Sequence, residues 1–343
     1  MNTQVGSELD IAIVDALQVN PRADWADLAQ AIRHTPKTLA RRWRIMSEDG
    51  SAWVALVPGP AFIRYGCAAF VTVTCHSQLK RKVAAALIAE PAIVSMSSTS
   101  GEADFLLDVF APTLDRLTRL LDERIDPIEG IVSTTVMIAL ATFREGSRWR
   151  VQALDLHQSA LLSKPHPVNP RRVVPPLDAL DHQLLECLAH DGRRPWTDLA
   201  ERCGTTGPTV RRRVERMIGS GRIALRCEGA EVLTGPVVPT TFMIAAPPNQ
   251  LNTIGESLAG LPRCRVAEAI TGKSNILMTM WLRSTTDIAA FAAALAREFP
   301  GVVITDTLVT LRTYKRGGRI LDINGRASEV VASTSIFADI DVP

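Results

Sequence analysis

Two segments of the chain concentrate arginine, lysine and threonine at matching places. Arginine can donate paired hydrogen bonds to guanine, and clustered guanidinium groups neutralise phosphate. Threonine hydroxyls reach phosphates or bases, and a capped helix N-terminus is itself an anion site. The candidates are Thr35, Lys37, Thr38, Arg41, Arg42 and Arg44 in one segment and Thr206, Thr209, Arg211, Arg212, Arg213 and Arg216 in the other. The pattern predicts contacts with double-stranded DNA.

Repetition favours that prediction over the simpler one, in which an arginine-rich helix face is only solvated surface. An offset of 171 residues carries Thr38 onto Thr209 and Arg41 onto Arg212. The offset needs no gap between residues 9 and 148. Two copies of one unit in a single chain form an internal pseudo-dimer. The function is therefore inferred for one copy, and the chain is expected to carry it twice.

Three short helices in each copy, near 9–57 and 180–228, must position these side chains. The third helix has the clearest start, because Thr35 and Thr206 are each followed within two residues by a proline. This is the helix-turn-helix pattern, whose second helix lies in the DNA major groove. A β-rich segment follows in each copy, and we expect it to be one strand of a small wing.

The second part of each copy, near 66–142 and 237–313, alternates strand and helix patterns in the order βαββαβ. That order predicts a ferredoxin-like sandwich, in which helices cover one face of an antiparallel sheet. The fold class is therefore α+β, with two winged helix-turn-helix domains that are each followed by a sandwich. We expect the other copy to cover the bare face of each sheet.

Composition narrows the possible classes of protein. The 343 residues carry a formal net charge of +2 and are 46% hydrophobic, which indicates a folded chain without a uniformly basic surface. The six cysteines form no Cys-x-x-Cys pair, so we expect free thiols and no metal site. Phosphate-loop, dinucleotide and hydrolase motifs are absent, and so are long apolar runs and a signal pattern. We expect a cytoplasmic protein with no cofactor and no membrane segment.

Six segments are expected along the chain. Helix-turn-helix domains are placed at 1–60 and 180–230, sandwiches at 61–148 and 231–320, a linker at 149–179 and a tail at 321–343. The linker centre KPHPVNPRRVVPP is too rich in proline for a helix or a central strand, which predicts an extended spacer. The tail lacks motifs and is expected to be loosely ordered.

Longer stretches resemble a known family. LDHQLLECLAHDGRRPWTDLAERCGTTGPTVRRRVERMIGSGRI and LDIAIVDALQVNPRADWADLAQAI are similar to the helix-turn-helix domain of the leucine-responsive regulatory protein/AsnC family of feast/famine transcription regulators. SGEADFLLDVF and TGKSNILMTMW resemble that family's glycine hairpin, and EGIVSTTV and PGVVITDTLVTLRTYK resemble its last strand. The resemblance implies a tandem-duplicated, DNA-binding regulator that responds to an amino acid or related metabolite and forms homo-oligomers.

The resemblance also implies an effector site near the glycine hairpin, at the interface between units. Gly101 and Asp104 match the family's Gly-x-x-Asp pattern, whereas Gly272 is followed by Asn275 in the second copy. An amide keeps the hydrogen-bonding shape but loses the charge that would pair with an α-ammonium group. The simpler interpretation, which is compatible with the first, is that the glycines only form hairpin turns.

The two copies are not expected to act equally. The first copy has Arg33 where the second has Gly204, and Trp43 where the second has Val214. The second copy is closer to the family pattern, so we expect its helix to bind DNA more strongly.

Two other classes of protein stay open. The two-copy architecture also resembles the sirohaem decarboxylases, whose chemistry needs a proton donor and cationic groups around a tetrapyrrole. Neither hairpin contains histidine, His76 is the only histidine in either sandwich, and the chain has only two tyrosines, which disfavours this enzyme. The third possibility is an interaction protein that no longer binds DNA.

Overall fold

Each copy divides its residues between the same two structural units. The structure is a computed structural model that describes residues 6–62, 66–146, 150–163, 176–235 and 237–337. Within these residues, the helical unit is drawn from 6–62, 150–163, 176–235 and 316–337, and the sandwich unit from 66–146 and 237–315. The same kind of domain from both copies therefore folds together.

The first copy starts with three helices and continues with the predicted βαββαβ order. Its elements are α1 (Glu8–Val19), α2 (Trp25–Ile32), α3 (Pro36–Glu48), β1 (Ala52–Pro58), β2 (Cys67–Cys75), α4 (Lys80–Ile88), β3 (Ile93–Thr99), β4 (Phe105–Ala111), α5 (Leu114–Leu120) and β5 (Ile131–Arg144).

The second copy repeats this order after one additional helix, and two short strands follow it. The elements are α6 (Leu156–Leu162), α7 (Ala179–His190), α8 (Trp196–Arg202), α9 (Gly207–Gly219), β6 (Ile223–Gly229), α10 (Glu231–Thr234), β7 (Val238–Ala245), α11 (Leu251–Ala259), β8 (Cys264–Ile270), β9 (Ile276–Leu282), α12 (Thr286–Glu298), β10 (Val303–Arg316), β11 (Arg319–Leu321) and β12 (Ala327–Val330). The α+β class predicted from the sequence is confirmed. None of the described helices is long and apolar enough to cross a membrane.

Strands β1 and β6 join the two helix-turn-helix domains. They pair antiparallel from Ala52 opposite Gly229 to Pro58 opposite Ile223, and every residue of β1 is buried. We expected each strand to belong to a wing of its own copy, but each pairs with its equivalent in the other copy. A lone strand would leave its main-chain hydrogen-bonding groups unpaired, and the pseudo-twofold relation supplies a matching partner.

Reciprocal arginine–tryptophan contacts reinforce this connection. The guanidinium carbon of Arg22 lies 3.5 Å from the ring centroid of Trp196, and that of Arg193 lies 4.2 Å from the ring centroid of Trp25. The 171-residue offset converts one contact into the other. The N–H groups of each arginine also donate to carbonyls of the opposite loop, which are those of Gly192 and Arg194 for Arg22 and of Pro21 and Ala23 for Arg193.

Helix α6 occupies part of the segment expected to link the two copies. Asp155 and Gln158 form a capping box at its start, and the Gln158 side chain donates to the carbonyl of Ala31. This helix lies before the proline-rich centre for which the sequence predicts an extended spacer. The proline-rich centre, except for its last residue, lies outside the described residues.

The tail is folded up to residue 337, in contrast to the loose order expected for it. The amide of Ala327 donates to the carbonyl of Gly50 over 2.8 Å, and Arg326 forms an ion pair with Asp49. Phe337 is buried and packs edge-on against Phe62, with ring centroids 5.9 Å apart. The apolar residues near the end of the chain thus cover the first helix-turn-helix domain, which composition did not indicate. Residues 338–343 lie outside the described part.

In the sandwich unit, the last strand of each copy passes from its own sheet to the other sheet. Residues 131–138 of β5 pair with β2, and residues 139–144 pair with β8. Residues 303–309 of β10 pair with β7, and residues 310–315 pair with β3. With the pairs β2–β4, β3–β4, β7–β9 and β8–β9, the eight strands form a closed hydrogen-bonded cycle.

The inner faces of the two sheets bury a shared apolar core. It consists of Phe70, Leu106, Met137, Met243, Ile270, Leu277 and Leu308, which come from both copies. Each sheet's other face packs on its own helices in a separate core. The bare sheet faces therefore cover each other, as the sequence predicts, because apolar surface on one sheet face must be removed from water.

Candidate nucleic-acid and effector sites

Paired threonines hold the start of each third helix at the protein surface. The Thr35 hydroxyl accepts from the amide of Thr38 and lies 2.9 Å from the Thr38 hydroxyl. The hydroxyls of Thr206 and Thr209 lie 3.0 Å apart, but Thr206 makes no side-chain capping hydrogen bond to the backbone. Both helix starts thus share the threonine pair, and their free N–H groups could bind an anion.

Exposed cations follow these threonines. Lys37 and Arg41 on α3 and Arg212 on α9 are exposed and make no side-chain hydrogen bond or ion pair with the described residues. Arg44 has only a loose contact with Glu48, at 3.8 Å. Of the predicted DNA-binding arginines, Arg41, Arg44 and Arg212 are therefore the most available to a polyanion.

Arg42 is not available, and its predicted role as a DNA contact is wrong. Its guanidinium is buried and binds both carboxylate oxygens of Asp10, with Nε 2.8 Å from Oδ1. Burial raises the pKa of Asp10, but bonds from Arg42 and Ser7 outweigh it and leave that pKa below its usual value. The pair joins α1 to α3 and positions the recognition helix from behind.

The second copy repeats this ion pair with additional partners. Arg213 donates to Asp178 over 2.6 Å and to Asp181 over 3.0 Å, and Arg216 lies 2.5 Å from Asp181. Arg211 donates to Glu215 over 2.8 Å. Arg213 and Arg216 are thus less available to DNA than the sequence predicts, since both are bound to the acids that open α7.

The balance of available cations favours the first copy, whereas the sequence predicts stronger DNA binding by the second. In the first copy Lys37, Arg41 and Arg44 are exposed with at most a loose partner, whereas in the second copy Arg212 alone among the candidate arginines lacks a partner within the described residues. Sequence resemblance did not indicate this, because it does not count the acids that face each arginine. A usable signal was present, since the 171-residue offset also carries Asp10 onto Asp181.

The glycine hairpins lie where the two copies meet. Gly101 and Gly272 have φ values of +91° and +123°, which supports the turn interpretation. The amide of Ser100 donates to the carbonyl of Val309, and the amide of Thr271 donates to the carbonyl of Ile138, each over 2.9 Å. Each hairpin thus contacts the last strand of the other copy.

Asp104 binds the protein itself. One of its carboxylate oxygens accepts from the amide of Cys75 and the other from Lys80, both over 2.8 Å. Burial raises the pKa of Asp104, but these bonds outweigh that effect and lower it overall. A direct effector contact, as first expected for this side chain, would compete with both bonds.

Asn275 makes the equivalent connection without charge. Its side chain accepts from the amide of Ala246 and donates to the same residue's carbonyl, both over 2.8 Å. Leu251 stands where the first copy has Lys80, so a charge at Asn275 would have no equivalent partner. The amide therefore has a structural explanation, and an effector contact at Asn275 would compete with both bonds, as at Asp104.

The sequence did not single out Glu268, which lies on the inner face of the second sheet. Burial, together with the negative charges of Asp108 and Glu145, raises the pKa of Glu268 to about 8. The alternation Val266, Glu268, Ile270 could have indicated it, because the two apolar neighbours belong to the core between the sheets. Within the described part of the chain, no cluster of three or more acidic, histidine or cysteine side chains could hold a metal ion.

Family models match both halves of both copies. The AsnC-type helix-turn-helix domain matches residues 7–47 and 177–218, and the Lrp/AsnC ligand binding domain matches residues 68–149 and 241–320. Together the matches span more than half of the chain. The chain belongs to the Lrp/AsnC family.

Similar proteins of this family have about half the length. An uncharacterized HTH-type transcriptional regulator of Pyrococcus abyssi is 28% identical over 144 residues, which cover 41% of this Lrp/AsnC chain and 90% of the relative. The HTH-type transcriptional regulator LysM of Saccharolobus solfataricus is 28% identical over 142 residues, which cover 40% of this chain and 96% of LysM. One copy thus corresponds to almost a whole relative.

A solved structure matches the whole tandem arrangement. The siroheme decarboxylase NirDL aligns with a TM-score of 0.60 over 97% of this chain and 98% of its own, at 14% sequence identity. At that identity the match establishes a shared fold. The chemistry of this Lrp/AsnC-family chain must be argued from its own residues.

Proposed function

We propose that this chain is a cytoplasmic transcription regulator that binds double-stranded DNA sequence-specifically. The observation that carries the proposal is the repetition of a paired threonine and an exposed arginine, Thr38 with Arg41 and Thr209 with Arg212, on two helices of the helix-turn-helix type. Arginine on such a helix reads guanine edges and neutralises phosphate.

A single chain would present both reading helices. Strands β1 and β6 and the reciprocal arginine–tryptophan contacts join the two domains within the helical unit. In dimeric regulators the two helices enter major grooves about 34 Å apart, one helical turn of DNA. Here the covalent duplication would supply what a dimer supplies elsewhere, so an operator with two unequal half-sites fits the unequal helices.

We further propose that an amino acid or a related metabolite gates this binding. Support comes from the hairpins, because each one bonds through Ser100 or Thr271 to the last strand of the other copy. A ligand beside Gly101 or Gly272 would therefore act on both copies at once. Coupling between two such sites is typically about 1–3 kcal/mol.

Repeated apolar exposure supports assembly into a homo-oligomer. Leu140 and Leu311 are exposed at equivalent positions of β5 and β10, and so are Val132 and Val303. Both copies therefore present the same apolar side chains, which a second chain could cover. Light scattering coupled to size-exclusion chromatography measures the assembly, and a monomer at all concentrations would contradict it.

The decisive experiment is a salt titration of binding to the DNA upstream of the protein's own gene, with and without a mixture of amino acids. We expect log K to fall linearly with log salt and to change with the mixture. Arg41→Ala should weaken binding more than Arg212→Ala, because α3 has more available cations. Equal losses would contradict this asymmetry, and no binding at low salt would contradict the regulator.

The decarboxylase is the second candidate, because the NirDL fold spans the whole chain. The residues of the described sandwich unit offer little proton chemistry, since its one histidine, His76, is exposed in the turn before α4. A Soret band on addition of an iron tetrapyrrole, together with loss of a carboxyl group, would favour the enzyme. Neither signal is expected for the regulator.

A further inference from the structure

Two cavities flank the reciprocal arginine–tryptophan contacts within the helical unit. The first has a volume of about 210 Å³ and is lined by Arg22, Trp196 and the α9 residues Arg211 and Ile218. The second has a volume of about 570 Å³ and lies beside α3. The second cavity's lining includes Trp25, Trp43, Arg44, Ser47, Arg193 and Trp196. The 171-residue offset relates much of one lining to the other.

The cavities differ because the copies have diverged at this place. Ser47 in the second cavity stands where the first has Ile218, and Arg44 stands where the first has Glu215. Trp43 replaces Val214, which is buried and does not line the first cavity. With these exchanges the second cavity is the larger of the two and the richer in aromatic residues.

Three indole rings line the second cavity, from Trp25, Trp43 and Trp196. Indole presents a flat apolar surface with an electron-rich face, which suits a planar aromatic group. A volume of about 570 Å³ lies within the usual range of small-molecule sites. The shape and the walls therefore favour an aromatic side chain or ring.

The charged groups of the lining differ in availability. Arg22 and Arg193 are bound to carbonyls and rings, and burial lowers the pKa of each to about 10, so both stay protonated at neutral pH. Arg44 is available, because 69% of its side chain is exposed and its only ion pair is a 3.8 Å contact. Asp24 is exposed and makes no capping hydrogen bond to α2.

Formal charges in the lining cancel, since Asp24, Glu48 and Asp191 oppose Arg22, Arg44 and Arg193. Arg44, Glu48 and Asp24 are exposed, so the balanced lining presents both signs of charge, which favours a zwitterion over a simple acid or base. We propose that the second cavity is a binding site for an aromatic amino acid. Arg44 binds its carboxylate, Asp24 binds its ammonium group, and the indoles hold its ring.

The site lies against the recognition helix α3 and is separate from the glycine hairpins of the sandwich unit. Its occupant uses Arg44, a side chain that we also assign to DNA. Binding of the amino acid itself does not require DNA, so it can be measured whether or not the proposed regulator function is correct.

Calorimetric titration of the full chain with L-tryptophan, indole-3-propionate and tryptamine tests the proposal. We expect the amino acid to bind at least about tenfold more tightly than either analogue, since each analogue lacks one charged group. Trp43→Val and Arg44→Gln should each weaken L-tryptophan binding by about tenfold or more. Trp43→Val installs the residue type of the second copy, and Arg44→Gln changes an exposed side chain, so both variants should fold.

The matched control is Glu215→Gln, which changes only the first cavity and should leave the affinity for L-tryptophan unaltered. Melting temperatures verify that each variant is folded. Absence of L-tryptophan binding at millimolar concentration would overturn the proposal. Undiminished binding by folded Trp43→Val and Arg44→Gln variants would also overturn it, because the ligand would then occupy another place.

Discussion

At the residue scale, one buried carboxylate in each copy decides which arginines can reach a partner. Asp10 binds Arg42, and Asp181 binds Arg213 and Arg216. Neighbouring arginines on one helix therefore have opposite roles, because successive residues point about 100° apart around the helix axis. Arg42 faces α1, whereas Arg41 faces solvent.

We predict that Arg42→Ala destabilises the protein and that Arg41→Ala does not. Removal of Arg42 leaves Asp10 buried without its cation, which costs about 3–5 kcal/mol. Arg41→Ala should leave the free energy of unfolding unchanged and reduce the salt slope of DNA binding by about 1. Chemical denaturation and salt titration of the two variants measure both effects, and equal stability would contradict the ion-pair role.

Glu268 makes stability depend on pH in a defined direction. Its pKa is raised from 4.5 to about 8, so the folded state holds a proton that the unfolded state has lost between these values. Stability should therefore fall as pH rises from 4.5 to 8. Glu268→Gln should remove this part of the dependence and raise the melting temperature at pH 8. If the difference in melting temperature between the wild type and Glu268→Gln stays constant with pH, the assignment is contradicted.

At the element scale, each last strand ends in a cation that binds the end of a helix from the other copy. Lys315 donates to the carbonyls of Ile88 and Glu90 at the end of α4. Arg144 donates to the carbonyls of Ala259 and Leu261 at the end of α11. The terminal carbonyls of a helix lack partners within it and carry partial negative charge, so a cation there satisfies both needs.

Lys315→Ala should lower the free energy of unfolding by about 1–3 kcal/mol, because it leaves buried carbonyls without a charged donor. Lys315→Arg, which installs the residue of the equivalent position 144, is the matched control and should retain most of the stability. Burial lowers the pKa of Lys315 to about 8 despite the nearby charge of Glu90. Stability of the wild type should therefore rise between pH 8 and 10.5, and this rise should be absent in Lys315→Arg.

At the scale of the whole molecule, the end of the chain completes the first helix-turn-helix domain. Ala327 and Arg326 bind the turn at Asp49 and Gly50, and Phe337 packs on Phe62. The first copy has no equivalent segment, since its continuation leads through α6 into the second copy.

Phe337→Ala should destabilise the helical unit by about 3 kcal/mol, because a buried ring is replaced by a cavity. Ile323→Ala is the control, since that side chain is 81% exposed and its loss should have little effect. Hydrogen exchange localises the change, which should appear in residues 46–62 and not in the strands of the sandwich unit. Unaltered protection of residues 46–62 would contradict a structural role for the tail.

The sequence determined the features that depend on local order. The threonine caps, the prolines of the first turns and the glycines at positive φ set helix starts and turns within a few residues of themselves, so all three were predictable. The βαββαβ order followed from periodicity, and the duplication followed from a constant offset. Family membership followed from these same segments.

Only the tertiary structure decided which equivalent parts meet. Nothing local in β1 specifies that it pairs with β6, and nothing local in Arg42 specifies that its partner is Asp10 rather than DNA. Arg42 and Arg41 look equally basic in the sequence, and the acid that separates their roles is 32 residues away. Burial and partner choice arise from contacts between distant segments, whereas propensities, caps and turns depend on neighbours along the chain.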